Sequence, residues 1–183
     1  MYIILAAIVV VLIWIVHSYN SLVSRRNRAK ESWADIDVQL KRRYDLIPNL
    51  INAVKGYAAH ESEAFEKVTQ ARAAAMGAGT LAEKGQAEAG LSGTLKSIFA
   101  IAEAYPELKA NQNFLALQSE LTETEDKIQA SRRFYNSSVR DLNTATQSFP
   151  GNIVSGVFNF ASMEFYQLNA ADSAAAQPVG VKF

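Results

Sequence analysis

The sequence contains no cysteine among its 183 residues. This absence excludes a disulfide framework, a thiolate metal site, a cysteine nucleophile and an N-terminal cysteine that carries a lipid. Histidine is nearly absent as well, since only His17 and His60 occur. His17 lies at the end of an apolar run, and no second histidine is spaced to share a metal ion or a proton with His60. We therefore predict no metal site and no cofactor.

Glycine and proline are also scarce, at nine and four residues, and strand-like alternation of apolar and polar side chains is missing. Pro48, Pro106 and Pro150 lie at breaks between longer segments. These segments are rich in Ala, Leu, Glu, Gln, Lys and Arg, which have high helix propensity. The composition predicts an all-α protein.

One long apolar run is present, near the start of the chain. Tyr2–Val16 contains 15 apolar residues, eleven of them Ile, Leu or Val, and uncharged residues extend the segment to Val23. Because a spanning helix needs about 20 residues, we predict that residues 1–23 form a single transmembrane anchor. The alternative is a cleaved signal peptide, which has basic residues before the run and a small-residue cleavage site after it. Neither feature is found here.

A basic cluster follows the predicted anchor on one side only, and it consists of Arg25, Arg26, Arg28 and Lys30. The positive-inside rule places this cluster and the rest of the chain in the cytoplasm. The cluster is also a candidate contact for anionic lipid, which attracts each basic residue near the surface by about 1 kcal/mol. The alternative is that these residues only set the orientation. A second basic run, Lys41-Arg42-Arg43, has only Tyr44 as an aromatic neighbour and has acidic residues at 35 and 37 nearby, so we predict no nucleic-acid partner.

The clearest helix is predicted over residues 111–148, where bulky side chains recur every seven residues. The stripe consists of Phe114, Leu121, Ile128, Tyr135, Leu142 and Phe149. Smaller residues such as Thr124 and Ser138 occupy the second seam position, which lets a neighbouring helix approach closely. A two-stranded coiled coil favours Leu at that position, so the pattern favours a helical bundle.

Pro48 determines the predicted topology, because proline costs about 3 kcal/mol or more inside a helix. We predict a tight turn around residues 45–47 and helices over 24–44, 48–76, 83–104 and 111–148. Short connections make these helices an antiparallel up-down four-helix bundle, which occupies residues 24–166. The heptad register persists across Pro48, so a kinked continuous helix is the alternative.

The acidic residues cluster at Glu120, Glu123, Glu125 and Asp126. Carboxylates in four-helix bundles can bind two iron ions, but such sites include Glu-x-x-His motifs. Neither histidine has a glutamate three residues before it, so a solvent-exposed helix face is the simpler interpretation. The glycines of MGAG lack the lysine of a P-loop. We therefore predict that the protein is not an enzyme.

After Phe149 the chain carries an aliphatic and aromatic segment. Its candidate residues for oligomer or membrane contact are Ile153, Val157, Phe158, Phe160 and Phe165. Large exposed apolar patches mark contacts with proteins or membranes. The alternative is that these side chains cover the open end of their own bundle. Residues 167–183 lack a core pattern, and we predict a mobile tail there.

Three blocks of the sequence resemble LemA family proteins. The first runs from Tyr19 to Glu61 and contains SRRNRAKESWADIDVQLKRRYDLIPNL. The second runs from Tyr105 to Asn143 and contains NQNFLALQSELTETEDKIQASRRFYN, and the third is Phe149-Pro150 with the aliphatic and aromatic residues that follow. The resemblance implies a bacterial inner-membrane protein with an N-terminal anchor and an all-helical bundle, and no established reaction. Some relatives lie on the outer side, so an extracytoplasmic domain is the alternative.

These observations favour a non-enzymatic, membrane-anchored helical scaffold. We expect it to act through homo-oligomerisation or through contacts with a membrane protein partner. The alternative is a module that binds or shapes anionic membrane, with lipid as its partner. An enzyme is the third hypothesis, and no group of residues supports it.

The orientation leads to a first testable prediction. A reporter fused after Phe183 should be active in the cytoplasm, because the basic cluster opposes transfer of its flank across the membrane. Protease digestion of intact spheroplasts is the complementary measurement. If the protease reaches the part of the chain after Lys30 without lysis, the predicted orientation is wrong.

Overall fold

The computed structural model of the chain describes residues 1–167. Every regular element in this part is a helix, which confirms the predicted all-α class. In chain order the helices are α1 (Tyr2–Lys55), α2 (Ser62–Gly77), α3 (Leu81–Glu103), α4 (Pro106–Lys109), α5 (Gln112–Gln147) and α6 (Gly151–Val157). The predicted tail, 167–183, lies outside the described residues except for Gln167.

α1 is one continuous helix of 54 residues, and Pro48 lies inside it. The predicted turn at residues 45–47 is therefore wrong. The separate helices predicted over 24–44 and 48–76 are wrong for the same reason. The structure instead has the continuous helix that the heptad register allowed.

Two interactions explain why α1 continues through Pro48. Proline has no N–H, so the carbonyl of Tyr44, four residues earlier, loses its helical donor. Arg72 of α2 replaces that donor, since its Nε lies 2.8 Å from the Tyr44 carbonyl oxygen. The same face of α1 is buried before and after the proline, at Leu40, Ile47, Leu50 and Val54. Burial stabilises each such side chain by about 1.5–3 kcal/mol, which offsets the proline cost of about 3 kcal/mol.

Local hydrogen bonds end α1 and begin α3. The backbone N–H groups of Tyr57 and Ala58 both donate to the Val54 carbonyl, at 3.0 and 2.9 Å. A capping box begins α3: the Glu83 N–H donates to Thr80 Oγ1 at 3.2 Å, and the Thr80 N–H donates to Glu83 Oε2 at 2.9 Å. The helix predicted over 83–104 is therefore present, with its start two residues earlier at Leu81.

α5 confirms the helix predicted over 111–148 to within one residue at each end. The buried members of its heptad stripe are Phe114, Leu121, Ile128, Tyr135 and Leu142. Thr124 and Ser138 of the second seam position are buried as well. Phe149, the sixth member of the stripe, follows the end of the helix and is 80% exposed. The heptad pattern thus identifies the buried face of α5 and extends it one repeat too far.

The described chain forms two compact units. Unit 1 comprises Met1–Asp37 and Gln129–Phe165, and unit 2 comprises Val38–Ile128 with the described residues after Phe165. α1 and α5 contribute residues to both units. Within unit 1, the rings of Trp33 and Tyr135 pack edge to face with centroids 5.5 Å apart. The predicted boundaries at 1–23 and 24–166 stay predictions.

Candidate functional site

In unit 1, α6 and the residues that follow it pack against α1 near the end of the predicted anchor, 1–23. Val154 and Phe160 form a buried cluster with Leu22. The half-buried Trp14 and Ala145 pack against this cluster. Residues 142–163 contain no Asp, Glu, Lys, Arg or His, and we call them the uncharged segment. This segment and the part of α1 that it contacts form the candidate functional site.

Local chemistry explains why the chain turns after α5. Gly151 lies so close to α5 that a Cβ atom would be 2.5 Å from the Ala145 carbonyl oxygen, so this position requires glycine. Ser155 Oγ donates to the Thr146 carbonyl at 2.8 Å and holds α6 to α5. After α6, Asn159 has a φ of 54°, a left-handed conformation in which asparagine is enriched. The chain therefore reverses immediately before the buried Phe160.

Hydrogen bonds hold the returning chain to α5. Asn143 Nδ2 donates to the Met163 carbonyl and Asn143 Oδ1 accepts from the Met163 N–H, both at 2.9 Å. The Tyr135 hydroxyl donates to the Glu164 carbonyl at 2.9 Å. Burial raises the pKa of Tyr135, and the nearby Glu164 carboxylate raises it further. The hydroxyl therefore remains a proton donor at neutral pH, and the end of the uncharged segment stays attached to α5.

Aromatic contacts connect α1 to the uncharged segment. The Tyr19 ring packs edge to face on Phe158 and Phe160, with centroid separations of 4.8 and 5.5 Å. The Arg26 guanidinium carbon lies 5.0 Å from the centroid of the Phe160 ring, within the range of a cation–π interaction. Each edge-to-face pair contributes about 0.5–1.5 kcal/mol beyond its buried area. These contacts hold α1, just after the apolar run, against the residues that follow α6.

The predicted contact residues have two different environments. Ile153, Val157, Phe158 and Phe165 are 54, 69, 48 and 45% exposed. Phe160 is only 8% exposed, so it belongs to the core of unit 1 and is not available to another molecule. The local pattern gave no signal for this difference, because the partner of Phe160 is Leu22 on a distant part of the chain.

The basic cluster is also divided. Arg25, Arg28 and Lys30 are exposed, whereas Arg26 is half-buried. Arg25 Nη1 lies 3.5 Å from the Asp141 carbonyl oxygen of α5. The Arg28 guanidinium carbon lies 5.2 Å from the centroid of the exposed Phe134 ring. Three of the four predicted lipid contacts therefore lie on the surface, and two of these three also contact α5.

Two open clefts lie between α1 and α5 in unit 1, with volumes of about 640 and 430 Å³. Both are lined by Asn20, Ser24 and Arg28. The larger cleft also contains the carboxylates of Glu31 and Asp35. Because acidic and basic groups share these walls, the clefts do not present a uniform charge to a ligand.

A buried ion cluster lies in unit 2 and connects α1, α3 and α5. The side chain of Arg43 is 2% exposed and pairs with the carboxylates of Glu88 and Glu125. Arg43 Nη1 also donates to Ser92 Oγ at 3.1 Å, and the Tyr44 hydroxyl donates to Glu88. Because buried charges are costly unless they are paired and hydrogen-bonded, this cluster is stable only as a set.

The sequence pattern did not identify this ion cluster. Arg43 interrupts the apolar seam of α1, and Glu125 belongs to the acidic cluster for which the sequence predicts a solvent-exposed face, whereas the structure pairs it with Arg43. An arginine at a seam position is a signal for a buried ion pair, but it does not show which carboxylates face it. At the surface of the same region, Arg42 Nη2 lies 3.9 Å from Glu120 Oε2. Across residues 1–167, no three His, Cys, Asp or Glu side chains are grouped closely enough to hold a metal ion.

The fold and the site define an all-helical protein whose first helix is long and apolar enough to cross a membrane. That apolar window of α1 is not buried inside the protein. The model of the LemA family matches residues 32–183. The chain therefore belongs to the LemA family, as its three sequence blocks predicted.

Proteins similar to this chain include a magnetosome protein, MamQ, and a protein named LemA. The magnetosome protein MamQ of Magnetospirillum gryphiswaldense is 22% identical over 174 residues, which cover 81% of this chain and 64% of MamQ. Protein LemA of Metamycoplasma hominis is 26% identical over 153 residues, which cover 81% of this chain and 68% of that protein. The chain thus spans slightly less than two thirds of the length of MamQ.

The ion cluster gives a second testable prediction. Arg43→Ala should lower the free energy of unfolding by about 3–5 kcal/mol, because it leaves the Glu88 carboxylate buried without its counter-ion. Arg42→Ala is the matched control, since the Arg42–Glu120 pair is exposed and such pairs contribute about 0–1 kcal/mol. Chemical unfolding of the full chain in mild detergent, followed by helical circular dichroism, measures both. Equal losses for the two variants would contradict the buried pairing.

Proposed function

We propose that this protein is a membrane-anchored helical scaffold that acts through contacts with copies of itself and with partner proteins. The continuity of α1 is the observation that carries this proposal. One helix, Tyr2–Lys55, contains both the apolar run and the buried face from Leu40 to Val54. The apolar run and this buried face therefore belong to the same helix.

Packing in unit 1 fixes the anchor further. Trp14 and Leu22 of α1 contact Val154 and Phe160, and Tyr19 contacts Phe158. Copies of the chain in one membrane would present unit 1 at the same height and in the same orientation. Association then costs less rotational freedom than it does for tumbling proteins, and confinement to the membrane raises the effective concentration. Weak lateral contacts are sufficient for assembly under these conditions.

We extend the proposal to the architecture of unit 2. Helical segments from α1, α2, α3 and the first part of α5 contribute to this unit, and we propose that they form an up-down four-helix bundle. Arg43 of α1 pairs with α3 and α5, and the Tyr44 hydroxyl lies 3.4 Å from the Ala75 carbonyl oxygen of α2. Short connections between helices favour antiparallel neighbours. A rigid body of this kind suits a scaffold.

We also propose that the anchor is uncleaved and lies in the inner membrane, with the rest of the chain in the cytoplasm. The one-sided position of Arg25, Arg28 and Lys30 supports this orientation. An extracytoplasmic body is the alternative that the family resemblance keeps open. A scaffold on either face would use the same fixed anchor.

A second candidate function is binding of anionic lipid by the basic cluster. The exposure of Arg25, Arg28 and Lys30 favours it, because exposed basic residues beside a membrane attract anionic headgroups. This attraction is screened within about 8 Å at physiological ionic strength. Strong salt dependence would therefore distinguish this function from a scaffold that works through protein contacts.

The scaffold leads to a third testable prediction. The full chain in mild detergent should form a homo-oligomer across the micromolar range, because its copies share one rigid anchor geometry. Sedimentation in a density-matched detergent measures the stoichiometry. Arg25→Gln with Lys30→Gln is the matched control: it should leave the stoichiometry unchanged, whereas the lipid function predicts that this pair of substitutions reduces retention of anionic lipid. A monomer at every concentration contradicts the self-associating scaffold.

A further inference from the structure

The uncharged segment has a counterpart in α1, because residues 1–24 also contain no Asp, Glu, Lys or Arg. Arg25 is the first charged side chain of α1, and Asp141 is the last one of α5. These two residues are neighbours in unit 1, where Arg25 Nη1 lies 3.5 Å from the Asp141 carbonyl oxygen. The charge-free parts of the two helices therefore begin at the same level.

The uncharged segment also ends at that level. Met163, the last residue of the uncharged segment, is hydrogen-bonded to Asn143, which follows Asp141 by less than one helical turn. The next residue, Glu164, accepts a hydrogen bond from Tyr135, on the charged side of Asp141. In α1, in α5 and in the chain after α6, the change from charged to uncharged residues therefore occurs at the same level, which we call the boundary.

On the uncharged side of this boundary, the segment lies beside the anchor. Val154 and Phe160 contact Leu22, and Trp14 packs against the same cluster. Trp14 precedes Arg25 by about 16 Å along the helix axis at 1.5 Å per residue. α6 therefore covers the last turns of the predicted span and does not lie beyond them.

The side chains that the segment exposes are apolar. Phe149, Ile153, Val157 and Phe158 are 80, 54, 69 and 48% exposed. In α1, Val16 lies between Trp14 and Tyr19, which both contact the segment, and it is 59% exposed. An exposed apolar surface beside a candidate membrane span is continuous with the surface that the span itself offers to lipid.

The anchor is strictly apolar along only part of its length. Tyr2–Val16 extends over about 22 Å at 1.5 Å per residue, whereas the hydrocarbon core of a bilayer is about 30 Å thick. The residues that follow, 17–21, are polar except for the ring of Tyr19. Phe158 and Phe160 pack on that ring. The uncharged segment therefore supplies apolar surface at the height where α1 has little.

We propose that residues 142–163 form a second membrane-contacting element, seated at the interface beside the anchor. Lipid acyl chains occupy the face formed by Phe149, Ile153, Val157 and Phe158. Interfacial elements of this kind bury their apolar face by about 5–10 Å. The contact is apolar and so differs from headgroup binding by the basic cluster. It rests on the membrane anchoring of the proposed function and not on self-association.

The absence of cysteine permits a direct test by site-directed spin labelling of the full chain in liposomes. Nitroxides at Ile153→Cys and Val157→Cys should collide readily with oxygen, which concentrates in the bilayer, and poorly with a water-soluble nickel chelate. Val38→Cys is the matched control, since Val38 is also an exposed valine, 62% accessible, and lies on the charged side of the boundary. We expect a several-fold higher ratio of oxygen to nickel collisions at 153 and 157 than at 38. High salt should not change this ratio, because the contact is apolar.

Two outcomes would overturn the proposal. A ratio at 153 and 157 equal to that at 38 would place the segment in water. Protection of both sites from oxygen and nickel alike would mean that a second copy of the chain covers this face. Circular dichroism checks that each labelled variant is folded. If Ile153→Cys or Val157→Cys does not fold, Phe149→Cys takes its place. Sedimentation of the same samples tests self-association independently of the membrane contact. A monomer whose uncharged segment lies in lipid would contradict the self-associating scaffold and leave the membrane contact intact.

Discussion

The continuity of α1 through Pro48 is the constraint on which the rest of the structure depends. A proline at this position removes one helical hydrogen bond and would usually end the helix. Arg72 supplies the missing donor to the Tyr44 carbonyl, and buried side chains such as Ile47 and Leu50 hold the helix on both sides of the proline. Because α1 does not break there, its buried face from Leu40 to Val54 is continuous across the proline within unit 2.

Charge is distributed unevenly along the chain. Among residues 1–167, the buried charged side chains are Arg43 and Glu88 of unit 2, and Arg43 pairs with Glu88 and Glu125. In unit 1, the charges stop at Arg25 on α1 and at Asp141 on α5, which are neighbours. Residues 1–24 and 142–163 contain no Asp, Glu, Lys or Arg. The membrane surface that we propose at this boundary would account for both the one-sided basic cluster and the exposed apolar side chains of α6.

Much of the fold could be predicted from periodicity, because periodicity reports burial within one helix. The heptad stripe identified α5 to within one residue at each end, and the apolar run identified the candidate span. The predictions that were wrong, and the features that the sequence did not indicate, depend on contacts between residues that are distant in the sequence. Pro48 is tolerated because Arg72 lies beside it, Arg43 is buried because Glu88 and Glu125 face it, and Phe160 is buried because it meets Leu22. A single sequence does not show which of these groups meet.

The distance between spin labels at Val38 and Asn52 tests the continuity of α1 most directly. Both residues are exposed, and they lie on opposite sides of residues 45–47, where a turn would reverse the chain. A continuous helix places their Cα atoms about 21 Å apart at 1.5 Å per residue, and pulsed dipolar spectroscopy of the full chain in liposomes should report a narrow distribution near this value. Antiparallel helices joined by a turn would bring them to about 8–10 Å. Strong dipolar broadening at that short distance would contradict the continuity of α1 through Pro48.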